Sequence, residues 1–126
     1  MKNYEIKDKN GKKREIRVEL KDLVGQKVEF EGMMTKCYED SHKLLVRDVY
    51  LIDENGNKCR KVANHCNMMI KANLRNDKGR QKEQAIFDKV KETEGKRVKF
   101  VGEVRNYSKN GIDNVGISKF IRLIEE

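Results

Sequence analysis

The sequence contains no tryptophan and no proline, and only four phenylalanines and four tyrosines among its 126 residues. Without proline, no Pro-rich linker marks a domain boundary, and the length suits one domain with a thin core of Val, Ile, Leu and Met. No apolar run approaches the roughly 20 residues that span a bilayer, and the first residues do not resemble a signal peptide. We therefore expect a cytoplasmic protein that does not enter a membrane.

Cysteine is also scarce, with three residues in the chain. An odd number of cysteines in an intracellular protein favours reduced thiols over a disulfide framework. Cys37, Cys59 and Cys66 lie near His42 and His65 in the sequence, but no Cys-x-x-Cys pair is present. The adjacent His65 and Cys66 would also point to opposite faces of a strand. We therefore expect no metal and no other cofactor.

Motifs typical of catalysis are absent as well. The chain has no Gly-x-Ser-x-Gly sequence, no phosphate-binding loop and no His-Glu-x-x-His sequence. Glu94 and Lys96 match half of a nuclease site, but the second acidic residue of such a site is not identifiable, and the end of a helix accounts for both residues. We therefore expect that the protein is not an enzyme.

Positive charge is what the sequence has in excess. Lys and Arg number 29 against 21 Asp and Glu, which gives a net charge of +8. Residues 57–82 hold eight of the basic residues and only one acidic residue. Such a concentration attracts nucleic-acid phosphates because binding releases their counterions. A solvated surface that promotes solubility is the alternative interpretation.

Two segments of the chain share the pattern Gly-x-x-Val-x-Phe-x-Gly, at residues 25–32 and at residues 95–102. Apolar and polar residues alternate in both segments, which predicts two strands with one buried face each. Gly32 and Gly102 lie within these strands and suit strands that bend or bulge at the corner of a barrel. The pattern therefore predicts two curved strands of one closed sheet.

Between these two strands the sequence predicts two more strands and a helix. Residues 43–52 and 58–70 are rich in strand-forming residues, and Asn55-Gly56 supplies a hairpin turn between them. Residues 81–94 have helical periodicity. The predicted order at this point is strand, strand, strand, helix, strand.

A last strand and an N-terminal extension complete the prediction. Residues 115–124 form the last strand, in which Lys119 interrupts the apolar face and indicates a bulge or the end of a barrel. Residues 1–22 are either an N-terminal β-hairpin or a basic arm. Residues 23–126 form the single domain.

The order β-β-β-α-β-β, with glycines in the first and fourth strands, resembles the oligonucleotide/oligosaccharide-binding fold (OB-fold), an all-β five-stranded barrel with one helix. The resemblance covers about residues 23–124. Residues 44–49, 63–65 and 95–107 also resemble small OB-fold proteins carried by phages and plasmids of low-GC bacteria. The resemblance implies a binding face on the second and third strands, edged by loops at residues 39–43 and 108–114.

This face predicts a set of residues that bind single-stranded nucleic acid. Basic side chains would contact phosphates, aromatic rings would stack on bases, and neutral polar groups would meet base edges. The basic candidates are Arg47, Arg60, Lys61, Lys71, Arg75 and Lys109. The aromatic candidates are Tyr38, Tyr107 and Tyr50, whose ring lies either in the core or on the surface. The neutral candidates are His65 and Asn67.

The predicted function is non-catalytic binding of single-stranded DNA or RNA. The alternative is a protein-interaction module, an adaptor or inhibitor of a mobile genetic element whose partner is a host or element-encoded protein. Neither interpretation involves a membrane.

Overall fold

The computed structural model describes residues 2–124, in which strands predominate. The elements in chain order are β1 (Tyr4–Lys7), β2 (Lys13–Ile16), β3 (Lys27–Tyr38), β4 (Lys43–Ile52), β5 (Lys58–Ile70), α1 (Asp77–Lys91), β6 (Arg97–Lys109) and β7 (Ile112–Leu123). Short 3-10 helices lie at Val18–Leu23 and Glu39–Ser41. Within residues 2–124, no helix is both long enough and apolar enough to cross a membrane.

Hydrogen bonds close five of the strands into a barrel in the order β3-β4-β5-β7-β6. The pairing of β5 with β7 is parallel, and the other pairings around the barrel are antiparallel. The predicted fold class is therefore confirmed: a five-stranded barrel with one helix, in the order β-β-β-α-β-β, preceded by a β-hairpin. This barrel is consistent with an OB-like fold.

The two strands that share the glycine pattern, β3 and β6, are neighbours in the barrel. They pair antiparallel with Phe30 opposite Phe100, and the centroids of these two rings lie 5.7 Å apart. The ring of Phe120 stacks on Phe100 at 5.6 Å from the other side of the core. All three rings are fully buried, so the alternation correctly predicted the buried faces of β3 and β6.

The glycines inside β3 and β6 allow neighbouring strands to approach closely. A Cβ atom at Gly32 would lie 2.5 Å from Val46 Cγ1, and a Cβ atom at Gly102 would lie 2.4 Å from Ile117 Cγ2. The pairing register also shifts at or beside both glycines. The irregularities predicted at these two positions are therefore present as register shifts, and glycine at each position leaves room for a side chain of the neighbouring strand.

The last strand, β7, differs from the prediction in which side chains point inward. The pattern placed Ile121 on the buried face, whereas the structure buries Phe120 completely and leaves Ile121 half-buried. The register between β6 and β7 shifts twice, once on each side of Lys119. Each shift adds one residue to β7, and one added residue turns the following side chains to the opposite face.

The helix begins four residues earlier than its periodicity predicts, at Asp77. The side chain of Asn76 caps it by accepting a 2.7 Å hydrogen bond from the amide of Gly79. Only glycine fits at position 79, because a Cβ atom there would lie 1.6 Å from the carbonyl oxygen of Asn73. The buried face of the helix, which includes Val90, packs into the barrel core.

The N-terminal segment is a hairpin of β1 and β2 that is attached to β5. The side-chain amide of Asn3 donates a 2.8 Å hydrogen bond to the carbonyl oxygen of Val62, and the Glu15 carboxylate accepts one of 2.9 Å from the amide of Asn64. Leu20, which follows the hairpin, is fully buried in the barrel core. The segment therefore packs together with the barrel.

Candidate nucleic-acid interface

A groove of about 320 Å³ lies between β5 and the hairpin of β6 and β7. We call it the β5–β7 groove. Among the side chains that line it are Arg14, Arg17, Lys43, His65, Asn67, Met69, Tyr107 and Lys109. His65, Asn67, Tyr107 and Lys109 are predicted site residues, so the fold brings four of the predicted residues together.

The groove arises where β5 and β7 separate. These two strands pair through only two residues each, ending at Ile70 and Phe120. On the N-terminal side of that contact in both strands, the buried guanidinium of Arg17 crosses the gap between β5 and β7. It donates hydrogen bonds of 3.1 Å to the carbonyl oxygen of His65 and 3.2 Å to that of Val115. Arg17 therefore links the two strands where no backbone ladder joins them.

Polar side chains of β4 and β5 share the outer face of the barrel beside this groove. In the register of the two strands, Arg47 lies opposite His65, Leu45 opposite Asn67 and Lys43 opposite Met69. The residues that follow or precede them in sequence, such as Val46 and Cys66, are buried in the core. Side chains alternate between the two faces of a strand, so Arg47, His65, Asn67 and Lys43 all point outward.

Tyr38 extends this face onto β3. It lies opposite Lys43, which in turn lies opposite Met69, so these three residues form a row across three strands. The row is about 10 Å long at the usual spacing between strands. Tyr38 is 40% exposed and Met69 is 37% exposed. An accessible aromatic ring and an accessible thioether therefore lie on either side of Lys43.

Tyr107 presents a ring whose position is held from two sides. Its hydroxyl oxygen accepts hydrogen bonds from Arg17 Nη1 at 2.8 Å and from Asn114 Nδ2 at 3.2 Å. Its ring lies against Gly116, where a Cβ atom would be 3.1 Å from Tyr107 Cε1. The residue nevertheless remains 40% exposed. The ring is therefore oriented before any ligand binds, as a stacking platform requires.

Three cations at the β5–β7 groove and its rim have no acidic partner in the part of the chain that the structure describes. Lys43, Arg47 and Lys109 form no ion pair with any residue in the described range 2–124. Arg14, by contrast, contacts Asp8 with 3.0 Å between Nε and Oδ2. The groove therefore holds at least three positive charges that are available to an anionic ligand.

Four other predicted phosphate-binding residues lie outside the groove, and three of them are paired with acidic residues. Arg60 contacts Glu19 at 3.0 Å, Lys61 contacts Asp48 at 3.1 Å and Lys71 contacts Glu103 at 3.3 Å. Arg75 is exposed in the loop before α1. The basic segment of residues 57–82 is thus distributed from the start of β5 to the helix and does not form one patch, because β5 is 13 residues long and a turn and a helix follow it.

Tyr50 also lies away from the groove. It is half-buried, and its ring lies between Lys58 Nζ at 4.5 Å and the Arg97 guanidinium at 5.6 Å from the ring centroid. A bulge in β4, where Asp48 adopts a positive φ of 49°, changes which residues of β4 point inward. The sequence left open whether this ring is in the core or on the surface, and the structure places it at the boundary.

The lowered pKa of His65 reflects the positive charge of the groove. Burial lowers the pKa of His65, and the guanidinium groups of Arg17, Arg47 and Arg14 lower it further, while Glu15 opposes them. Three arginines from two separate parts of the chain thus act on one imidazole. The groove favours a neutral histidine and negatively charged ligands.

Among the groove residues that sequence reasoning missed are Arg14, Arg17, Lys43 and Met69. The excess of basic residues in the first 22 positions was a weak signal for the two arginines, because nothing in the sequence shows that the hairpin packs on β5. Lys43 and Met69 are ordinary residues of exposed strand positions. Only the pairing of β3, β4 and β5 places them beside Tyr38.

The cysteines and histidines do not gather into a metal site. Among residues 2–124, no group of three or more His, Cys, Asp or Glu side chains could hold a metal ion. Burial and the nearby Glu94 raise the pKa of the Cys37 thiol to about 11, and burial also raises the pKa of Cys66. The Nδ1 atom of His42 instead lies 2.7 Å from the Glu83 carboxylate.

Comparison of the chain with protein-family models, with curated proteins and with solved structures gives no match. The case for a function therefore comes from the geometry and the charge of the β5–β7 groove.

Proposed function

We propose that this protein is an OB-fold protein that binds single-stranded nucleic acid in the β5–β7 groove without catalysing a reaction. The proposal depends on one observation: three cations without an ion-pair partner among residues 2–124 and a fixed, exposed tyrosine ring lie in or beside one groove. The cations are Lys43, Arg47 and Lys109, and the ring is that of Tyr107.

The geometry suits an extended strand of nucleotides. Lys43 and Arg47 lie on the same face of β4, and Lys109 lies across the groove on β6. The three cations can therefore contact successive phosphates of one nucleic-acid strand from the two sides of the groove. Bases would stack on Tyr107 at one side and on Tyr38 at the other. Stacking of this kind tolerates any base and contributes roughly 1–3 kcal/mol for each base.

Asn67 and His65 lie between these features and provide neutral hydrogen-bonding groups for base edges. They add a modest preference among sequences at most, because most of the contacts are to phosphates and ring faces. The resemblance to small OB-fold proteins of phages and plasmids supports a role for this binding in a mobile genetic element.

Fluorescence anisotropy with labelled dT and rU oligomers of about 15 nucleotides, over a salt series, tests the proposal. Three phosphate contacts predict that log K falls with log salt with a slope of about −2, since each contact to a single strand contributes about −0.7. Replacing Lys43 and Arg47 together by Gln should reduce the slope to about −0.7 and weaken binding strongly.

A matched variant with Arg60 and Lys61 replaced by Gln loses the same net charge at the other end of β5. Because these two cations are already paired with Glu19 and Asp48, we expect their replacement to leave the slope nearly unchanged. An equal loss of affinity in the two variants would show that net charge determines binding and would contradict the assignment of phosphate contacts to Lys43 and Arg47. Absence of binding at about 50 mM salt would overturn the proposed function.

A further inference from the structure

A second groove, of about 640 Å³, lies between α1 and the end of β7. It shares no lining residue with the β5–β7 groove, and we call it the α1–β7 groove. Val90 of α1 is fully buried at its base. Ile86, Ile121 and Leu123 are half-buried around it. The groove therefore offers an apolar interior that no residue in the range 2–124 covers completely.

The rim of the α1–β7 groove carries charge of one sign. Lys82 and Lys89 on α1 and Arg122 on β7 line it, and within residues 2–124 no Asp or Glu is among its lining residues. Lys82 and Lys89 are two helical turns apart, with Ala85 and Ile86 between them, so all four lie on one face of the helix. An apolar strip between two cations is thus built into the outer face of α1.

The backbone of β7 adds a third feature. The pairing of β7 with β5 ends at Phe120, whose carbonyl oxygen accepts a 3.0 Å hydrogen bond from the amide of Lys71. The strand continues through Ile121, Arg122 and Leu123, and no strand in the described part of the chain pairs with these residues on the side that faced β5. Their free edge lies at the groove.

We propose that the α1–β7 groove binds an extended acidic segment of a partner protein that carries large apolar side chains. Carboxylates of the segment would pair with Lys82 and Arg122, and its apolar side chains would enter the space between Ile86 and Leu123. An extended conformation suits the free edge of β7, where main-chain hydrogen bonds add a strand to the sheet.

Two other occupants fit the observations less well. A second copy of this chain carries the same net charge of +8, so two copies repel one another. A single-stranded nucleic acid would find cations here but no aromatic ring, since none of the lining residues is aromatic, and base stacking is a main part of such binding. The proposal does not depend on the function assigned to the β5–β7 groove.

Fluorescence anisotropy with three labelled synthetic peptides of about 12 residues tests the chemistry of the groove. The first peptide alternates Asp or Glu with Leu or Phe, the second has Lys in place of its acidic residues, and the third has Ser in place of its apolar residues. We expect binding of the first peptide alone, because the groove combines a cationic rim with an apolar interior. Equal binding of the second or the third peptide would overturn the proposal.

Charge reversal on the rim tests the location. Arg122→Glu and Lys82→Glu should each weaken binding of the first peptide about tenfold, since each replaces an attraction by a repulsion. Lys109 lies in the β5–β7 groove, so Lys109→Glu should change the affinity for the peptide by no more than about twofold relative to the unsubstituted protein. Circular dichroism establishes that each variant is folded. Loss of peptide binding with Lys109→Glu but not with Arg122→Glu would overturn the assignment.

Hydrogen exchange gives a readout that does not depend on substitution. Saturation with the first peptide should protect amides in residues 82–90 and 121–123. Protection confined to β4 and β5 would show that the peptide occupies the other groove and would overturn the proposal. Displacement of the peptide from residues 121–123 by dT oligomers would identify a nucleic acid as the occupant and would overturn it as well.

Discussion

Arg17 Nη1 donates a 2.8 Å hydrogen bond to the hydroxyl oxygen of Tyr107, which lies 90 positions later in the chain. The same guanidinium donates to the carbonyl oxygens of His65 and Val115. One buried side chain from the N-terminal segment therefore joins β5 to β7 and orients the ring that we place against a base. In the proposed function, this residue links the stability of the barrel to the affinity for nucleic acid.

Replacing Arg17 by Met tests the contribution of this residue to the stability of the barrel. The substitution keeps most of the apolar volume but leaves the carbonyl oxygens of His65 and Val115 and the Glu15 carboxylate without their partner, so we expect a loss of about 3 kcal/mol in the free energy of unfolding. Urea denaturation measures it. Arg60→Met is the matched control, because the Arg60 side chain is 47% exposed where it pairs with Glu19 and its loss should cost under about 1 kcal/mol.

Two substitutions at Tyr107 distinguish the contribution of the ring from that of the hydroxyl group. Tyr107→Ala removes the stacking surface and should weaken oligonucleotide binding by roughly 1–3 kcal/mol. Tyr107→Phe keeps the ring and its contact with Gly116, so we expect nearly unchanged affinity and a loss of about 1 kcal/mol in stability from the missing hydrogen-bond acceptor. Anisotropy and urea denaturation measure the two effects. An unchanged affinity in the alanine variant would show that no base stacks on this ring.

The titration of His65 should change when a nucleic acid binds. In the free protein its pKa is below the usual 6.5, owing to burial and to Arg17, Arg47 and Arg14. Phosphates bound beside these arginines neutralise their effect and raise the pKa of His65. By linkage, affinity should increase as the pH falls through the interval between the pKa of the free form and that of the bound form.

Proton NMR of the His65 ring, assigned with a His65→Gln variant, measures this shift with and without a dT oligomer. Arg47→Gln should raise the pKa of His65 in the free protein by itself. The sign for stability is the opposite of that for binding: the unfolded chain takes up the proton first, so stability should fall as the pH falls from about 6.5 toward the folded-state pKa. A pKa that the oligomer leaves unchanged would show that phosphates do not bind near His65.

The glycine inside β6 provides a test of packing in the barrel. Gly102→Ala would place its Cβ atom 2.4 Å from Ile117 Cγ2, and we expect it to lower the free energy of unfolding by about 1–3 kcal/mol. Ile117→Ala removes the clashing atom, so the double variant should be more stable than the sum of the two single effects predicts, by about 1 kcal/mol. Strict additivity in urea denaturation would contradict the proposed clash.

The extent to which the sequence predicted the site differs from residue to residue. His65 and Asn67 were predicted on the binding face that the OB-fold resemblance implies, and both are exposed on the outer face of β5, as alternation of side chains along a strand allows. Arg60, Lys61 and Lys71 were predicted to share the groove, but each has an acidic partner elsewhere. Pairing between charges that are distant in the chain depends on which strands become neighbours, and composition does not contain that information.

The sequence by itself determined the order of the elements and the buried faces of β3 and β6, because periodicity and glycine placement depend on near neighbours in the chain. Only the tertiary structure decided that Arg17 crosses the gap between β5 and β7 and that bulges beside Lys119 turn Phe120 inward. It also decided that three cations around one groove have no ion-pair partner among residues 2–124. These features arise from contacts between segments tens of residues apart, where register and strand separation set which groups meet.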